Sequence, residues 1–296
     1  NKYLSTSLYS CKAMALLSVI TAHTTMTLAS PLANLIKQRL SSVGVIVFMI
    51  LSGFLFNVAK YGSVGKFAKK KAISVCVPWL ILGTVVYFWG QIHDFSWSHL
   101  SVVEWLKYVL GYKTFLYYIP MLLLCYMIFY RTNKPVLIIA MIMNVISLEL
   151  TAFGLMDPVI SWLHITNYLN VFNWTGFFAL GILLREYDGI RLFTQFMQSH
   201  KPAAIGVAAA YPVVVVLIAA FVETDQSGYF SRFGFIMELF AFAVILILSN
   251  RRLLRGKVMM RVAGYFYSAY LIHTMVLSVV MYVPILNSRL SFLLPL

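Results

Sequence analysis

Nine stretches of the chain are apolar for about the length of a bilayer crossing, near residues 8–29, 42–59, 72–92, 114–130, 135–152, 168–184, 203–222, 233–249 and 262–283. A hydrocarbon core asks for roughly 20 apolar residues of a helix, because backbone polar groups must be satisfied within the segment. The pattern therefore predicts an all-α, polytopic transmembrane helix bundle of about nine spans. Residues 155–166 are too short to cross and read as a re-entrant or interfacial piece. Residues 97–112 set Trp97, Trp105 and Tyr108 among charges, which suits a helix lying on one membrane surface.

Composition agrees with the pattern. Hydrophobic residues make up 61% of the 296 and charged residues 11%, with a mean hydropathy of +0.85. A soluble domain carries about 25% charged residues to face water, so this surface faces lipid. The three cysteines, Cys11, Cys76 and Cys125, lie in or beside apolar segments without disulfide or metal-ligand spacing. No metal site and no Gly-rich phosphate loop is written in the sequence.

The net charge of +14 changes the picture only through its distribution. Assigning loops alternately to two sides puts Lys2, Lys12 and the basic residues of 60–71, 131–134, 185–201 and 251–261 together, 17 of the 23. Lys37, Arg39, Lys107, Lys113, Arg232 and Arg289 fall on the other side. By the positive-inside rule the N-terminus is expected in the cytoplasm and the C-terminal tail outside. The basic loops then face anionic lipid rather than nucleic acid. The chain begins at Asn1 and stops in Leu293-Leu294-Pro295-Leu296, so both ends read as trimmed. Residues 1–296 are expected to form a single integral-membrane domain, with room for a fused or partner domain beyond them.

Ionisable groups inside spans cost roughly 2.5–3.5 kcal/mol each on insertion scales, which makes each a candidate for function. They are Lys12, His23, Glu149, Glu238 and His273, with Asp157 and His164 nearer an interface. Lys12 and His23 are 11 positions apart, about 1,100° of helix, so they share one face with their Cα atoms about 16 Å apart. Thr21, Thr24 and Thr25 make the surroundings of His23 polar. A cation at one mouth and a titratable base deep within fit a polar channel along that face; a snorkelling lysine and a helix-bonding histidine are the plainer account. Glu149 and Glu238 read as structural partners of other helices.

Taken in order, these segments resemble the acyltransferase type 3 family of bacterial integral-membrane O-acyltransferases. Lys12 through His23 keeps that family's basic residue, ten-residue gap and histidine, with Lys in place of Arg. Phe48-Met49-Ile50-Leu51-Ser52-Gly53-Phe54 is similar to its string at the end of the second helix. Phe67-Ala68-Lys69-Lys70-Lys71 through Pro78 resembles the basic cluster before the third span. Gly176-Phe177-Phe178-Ala179-Leu180-Gly181 and Tyr267-Ser268-Ala269-Tyr270-Leu271-Ile272-His273 look like two later signatures. Two positions depart: Lys12 loses the bidentate fork of an arginine, and Val75 stands where the family often has a second Arg. The family's usual tenth helix would begin at Ser291–Leu296.

The resemblance implies a multi-pass enzyme of a bacterial inner or plasma membrane. It would take an acyl group, most simply acetyl, from cytoplasmic acyl-CoA, a co-substrate rather than a bound cofactor. The acceptor would be a hydroxyl of a cell-envelope sugar or glycan. His23 would act as general base or acyl carrier. Lys12 with Lys69, Lys70 and Lys71 would meet the phosphates of CoA. Ser52, Tyr270 or Thr24 would supply an oxyanion donor, and His273 would join the substrate-binding set. Aromatic residues Trp97, Trp105, Tyr117, Tyr118, Trp162 and Trp174 would stack on sugar or form an interfacial belt. Gly53 reads as a helix-packing position. A transporter or flippase of a small or lipid-linked solute, and a membrane sensing or anchoring module of a larger protein, are the competing classes.

Overall fold

The computed structural model describes residues 2–24, 31–93, 100–221, 230–250 and 256–282, and every regular element among them is helical. Thr25, Trp97, Arg251, Arg252, Arg255, Arg289 and the expected start of a tenth helix at 291–296 lie outside the described residues. Four helical stretches are long and apolar enough to cross a membrane: Ala33–Phe54, Val64–Ile92, Lys134–Ala152 and Lys201–Phe221. Thr6–Ala22, Phe115–Ile128, Gly234–Ser249 and Phe266–Val280 are apolar and shorter.

The faces these helices leave uncovered identify the surrounding solvent. Ile138, Ile139 and Ile142 on α7 (Lys134–Ala152) are each more than half exposed, as are Ile205 and Val213 on α11 (Lys201–Phe221). Leaving such a side chain in water forgoes about 1.5–3 kcal/mol, so a belt of them belongs in lipid. The chain is a helical membrane protein.

Three boundaries differ from the sequence pattern. α1 (Lys2–Ala22) stops one residue short of His23, which sits in the following turn, its N–H donating to the carbonyl of Ile20 at 3.1 Å. The hydroxyls of Thr21 and Thr24 donate to the carbonyls of Leu17 and Thr21 (both 2.8 Å), closing the last turn. α2 (Pro31–Phe54) begins eleven residues before the apolar run at 42. Lys37 and Arg39, read as loop cations, are therefore helical, and Arg39 is buried with its guanidinium on the Ser231 hydroxyl. The last apolar run is broken at Tyr265 into α13 (Lys257–Gly264) and α14 (Phe266–Tyr282). Together with α10 (Gly189–Ser199), α13 is an amphipathic helix that a search for apolar runs passes over.

The third span is also composite. α3 (Val64–Lys71) is capped by Ser63, whose hydroxyl accepts from the Lys66 N–H, and leads through a π-type turn at Ala72–Cys76 into α4 (Val77–His93). Pro78 explains the turn: it has no N–H to donate, and its ring presses on the carbonyl four residues back, that of Ser74. Between α4 and α6 (Tyr118–Ile128) lie α5 (Val102–Val109) and a 3₁₀ turn, Phe115–Tyr117. Gly111, at φ 89°, lets that turn come close; a Cβ there would stand 2.2 Å from the Tyr117 backbone. The stretch 155–166 holds only α8 (Asp157–Trp162), six residues and largely exposed.

The core forms where α2 packs against α1 and against α9 (Phe172–Glu186). In lipid, helices gain no hydrophobic driving force from meeting, so small residues that let backbones touch decide where they cross. A Cβ on Gly53 of α2 would lie 2.0 Å from the Phe178 carbonyl oxygen, and one on Gly181 of α9 would lie 2.0 Å from that of Ile50. Gly53 is thus a packing position, as its small size suggested. α12 (Gly234–Ser249) completes the core on the side of α1 and α2. Gly206 of α11, by contrast, faces open space. Gly53→Ala and Gly181→Ala should each destabilise the bundle by about 1–3 kcal/mol through overpacking. Gly206→Ala should stabilise it by up to about 1 kcal/mol through helix propensity. Thermal unfolding in detergent reads both signs.

Candidate active site

Two cavities flank α1, one near Lys12 and one at His23. The first, ≈ 260 Å³, is walled by α1, α2, α6, α14 and the π-type turn. Lys12 and Lys71 both line it, together with Ser52, Ser74, Val75, Tyr118, Tyr126 and Tyr267. Aromatic faces hold the two ammonium groups: Lys12 Nζ lies 5.0 Å from the Phe266 ring centre and Lys71 Nζ 4.9 Å from that of Tyr126. Among the described residues neither lysine has a carboxylate partner. Two ammonium groups facing one cavity give it a positive lining.

Of the remaining expected lysines, Lys69 and Lys70 do not reach this cavity; both are exposed on the last turn of α3. Ser52 does reach it, and its hydroxyl shares a 3.0 Å hydrogen bond with the Tyr118 hydroxyl. Val75 also lines it, its carbonyl accepting from Tyr267 at 2.7 Å.

The second cavity, ≈ 190 Å³, is lined by Val19, Ala22 and His23 of the α1 end, Gln38, Ser41, Ser42 and Val45 of α2, and Tyr117, Tyr168 and Phe230. His23 opens onto it, while Tyr117 and Tyr168 pack at 4.7 Å and Tyr168 and Phe230 at 5.0 Å. A wall of hydroxyls, an amide and aromatic rings is the chemistry that carbohydrate meets in binding sites. Gln38, Ser41, Ser42, Tyr168 and Phe230 were not singled out from the sequence. The first half of α2, with Lys37, Gln38 and Arg39 before Ser41 and Ser42, carried a readable polar stripe.

A column of rings joins the cavities. Phe266 contacts Phe48 at 5.5 Å, Phe48 contacts Tyr270 at 6.2 Å, and Tyr270 meets both Phe115 (6.0 Å) and His273 (5.8 Å). His273 then lies 4.8 Å from His23, centre to centre. Tyr270 is buried and its hydroxyl donates to the Phe115 carbonyl, so that hydroxyl braces α14 against the 3₁₀ turn. Thr24 is likewise committed to a backbone carbonyl.

The other intramembrane charges have structural partners. A Glu149 oxygen accepts the Phe233 N–H at 2.8 Å, and Glu238 accepts the Ser42 hydroxyl at 2.8 Å. Asp157 and His164 are exposed. Of the aromatic candidates, Tyr118 faces the lysine cavity, Trp174 is fully buried with its indole N–H on the Tyr168 carbonyl (2.9 Å), and Trp105 donates to Thr84 (3.0 Å). Trp162 is 77% exposed and suits an interfacial position. No group of three or more His, Cys, Asp or Glu able to hold a metal occurs among the described residues.

The profile of the acyltransferase type 3 family, described as an acyltransferase domain, matches residues 7–295. No curated protein and no solved structure matches the chain. Replacing Tyr270 by Phe should cost about 1–3 kcal/mol, the penalty for leaving the buried Phe115 carbonyl without a partner. A lowered unfolding temperature with the helical content retained would be the signature.

Proposed function

With the chain a member of the acyltransferase type 3 family, and so a membrane acyltransferase, we propose that it moves an acyl group from acyl-CoA to a hydroxyl of a cell-envelope sugar or glycan. The observation that carries the reading is the pairing of Lys12 and Lys71, without a carboxylate partner among the described residues, in one cavity that a column of rings connects to His23. The phosphates of CoA are the anion that suits the two ammonium groups. The lysine-rich α3 supports a cytoplasmic position for this mouth under the positive-inside rule, the side where acyl-CoA is made. That orientation, with a cytoplasmic N-terminus and about nine spans in a bacterial inner membrane, belongs to the proposal.

Position matters more than residue type at the donor mouth. Val75 occupies the place where an arginine is common in the family, and Lys71, four residues earlier, lines the same cavity across the π-type turn. Lys71 therefore serves as the second cation, a point charge where an arginine would bring a fork. Of the hydroxyls expected as oxyanion donors, Ser52 lines this cavity, hydrogen-bonded to Tyr118.

At the other end His23 faces the acceptor. A ring nitrogen of its imidazole offers the lone pair that takes a proton. In direct transfer it deprotonates the acceptor hydroxyl, which attacks the thioester carbon and expels CoA. In a relay it is acylated first. The aromatic and hydroxyl lining of the second cavity supports a sugar acceptor. Acetyl is the acyl group we favour.

The test is turnover by the full chain in liposomes, with labelled acetyl-CoA and a panel of envelope glycans. CoA release should fall roughly 10²–10⁴-fold in His23→Ala. Lys12→Met and Lys71→Met should each raise KM for acyl-CoA roughly 10–100-fold, the worth of a charge-assisted hydrogen bond. Adding Val75→Arg to Lys71→Met should return much of that loss. A wild-type protein that moves an unmodified solute and consumes no acyl-CoA would make it a transporter instead.

A further inference from the structure

His273 sits directly behind the candidate base. It is 4% exposed, and its ring centre is 4.8 Å from that of His23 at a tilt of 54°. Its Nδ1 lies 2.6 Å from the carbonyl oxygen of Tyr270. A carbonyl oxygen only accepts, so Nδ1 carries the proton and Nε2 holds the lone pair. That Nε2 is buried and has no hydrogen-bond partner among the described residues. A buried acceptor left unpaired is costly and uncommon. Around it, the faces of Phe115 and Tyr270 offer no donor, since the Tyr270 hydroxyl is taken by the Phe115 carbonyl. The polar ring in contact with it is His23, which is open to the cavity and forms no side-chain hydrogen bond among the described residues.

We propose that His273 is the proton partner of His23, accepting one ring N–H of His23 on its Nε2 and so turning the lone pair of the other nitrogen toward the acceptor. The inference rests on the acyltransferase reading and gives His273 a positioning role within it. The two rings are in contact at 4.8 Å, centre to centre, and catalytic hydrogen bonds are often long before substrate binds. In transfer, the acceptor hydroxyl gives its proton to the free nitrogen of His23. Its oxygen forms the new C–O bond, the C–S bond breaks, and the departing CoA thiolate takes that proton to become the thiol. While His23 is doubly protonated, its second N–H stays shared with His273, which spreads the charge without burying a carboxylate. A carboxylate in that place would carry a permanent charge into a low-dielectric wall. Among the described residues no carboxylate is bonded to His23.

The experiment combines kinetics with histidine ¹⁵N spectra on the full chain in nanodiscs, His23 being assigned by its loss in His23→Ala. His273→Phe keeps a ring but removes the lone pair; His273→Gln keeps an acceptor near the ε position. His273→Phe should lower kcat roughly tenfold or more, with KM for acetyl-CoA within about twofold. His273→Gln should recover part of kcat. In the spectra, wild-type His23 should be one tautomer and His273→Phe should show a mixture. Wild-type kcat in a folded His273→Phe, with the His23 signals unchanged, would overturn the proposal. Should that variant not fold, a mixed-tautomer His23 in the wild type, or wild-type kcat in His273→Gln with no tautomer preference, overturns it equally. A wild type that never releases CoA defeats the acyltransferase reading, and the spectra still decide whether the two imidazoles are paired.

Discussion

Backbone contact between α2 and α9 holds the rest in place. Gly53 and Gly181 present themselves to the carbonyls of Phe178 and Ile50, so the two helices touch where any side chain would hold them apart. That closeness matters more in lipid than in water, because apolar side chains gain little by leaving lipid for protein. α2 is also the helix that both cavities share. Its early turns bring Gln38, Ser41 and Ser42 to His23, and its last turns bring Phe48, Leu51 and Ser52 to Lys12 and Lys71. A shift of α2 against α9 would therefore disturb both ends of the site together.

Within this frame the polar groups divide into two kinds. One kind bonds one helix to another. Asn144 donates to the Phe172 carbonyl at 2.8 Å, Ser147 to Asn173 at 2.6 Å and Asn170 to Ser147 at 3.0 Å, stitching α7 to α9. Arg39, Ser231, Ser42 and Glu238 do the same between α2 and the start of α12. These bonds pair groups that lipid cannot solvate, although Oδ1 of Asn144 and Oε2 of Glu238 have no hydrogen-bond partner among the described residues. The other kind faces a cavity: Lys12 and Lys71 at one end, His23 at the other. In the proposed reaction the two ammonium groups would serve the anionic donor and the histidine end the acceptor.

The apolar runs were legible because lipid imposes one rule on every exposed side chain. Helix boundaries followed less well where polarity and helicity part company. α2 continues into Lys37, Gln38 and Arg39 because a buried cluster with Ser231 and Glu238 receives Arg39, a partner that local hydropathy does not reveal. α10 and α13 escaped because their periodicity is amphipathic and short. Helical spacing put Lys12 and His23 on one face, and each lines a cavity, although α1 gives way to a turn at His23 itself.

By itself the sequence determined a membrane-embedded helical chain, the few ionisable groups that lipid would not tolerate idly, and an ordered set of motifs shared with membrane acyltransferases. Those properties are local, or lie along one helix, and 3.6-residue periodicity carries them. Only the tertiary structure decided that Lys71 rather than Lys69 or Lys70 meets Lys12, and that Tyr270 spends its hydroxyl on the Phe115 carbonyl. It also decided that His273 comes to rest against His23. These meetings join segments far apart in the chain. Their geometry is set by how closely backbones approach at a few glycines and how rings interlock between helices, which no spacing within a single helix can specify.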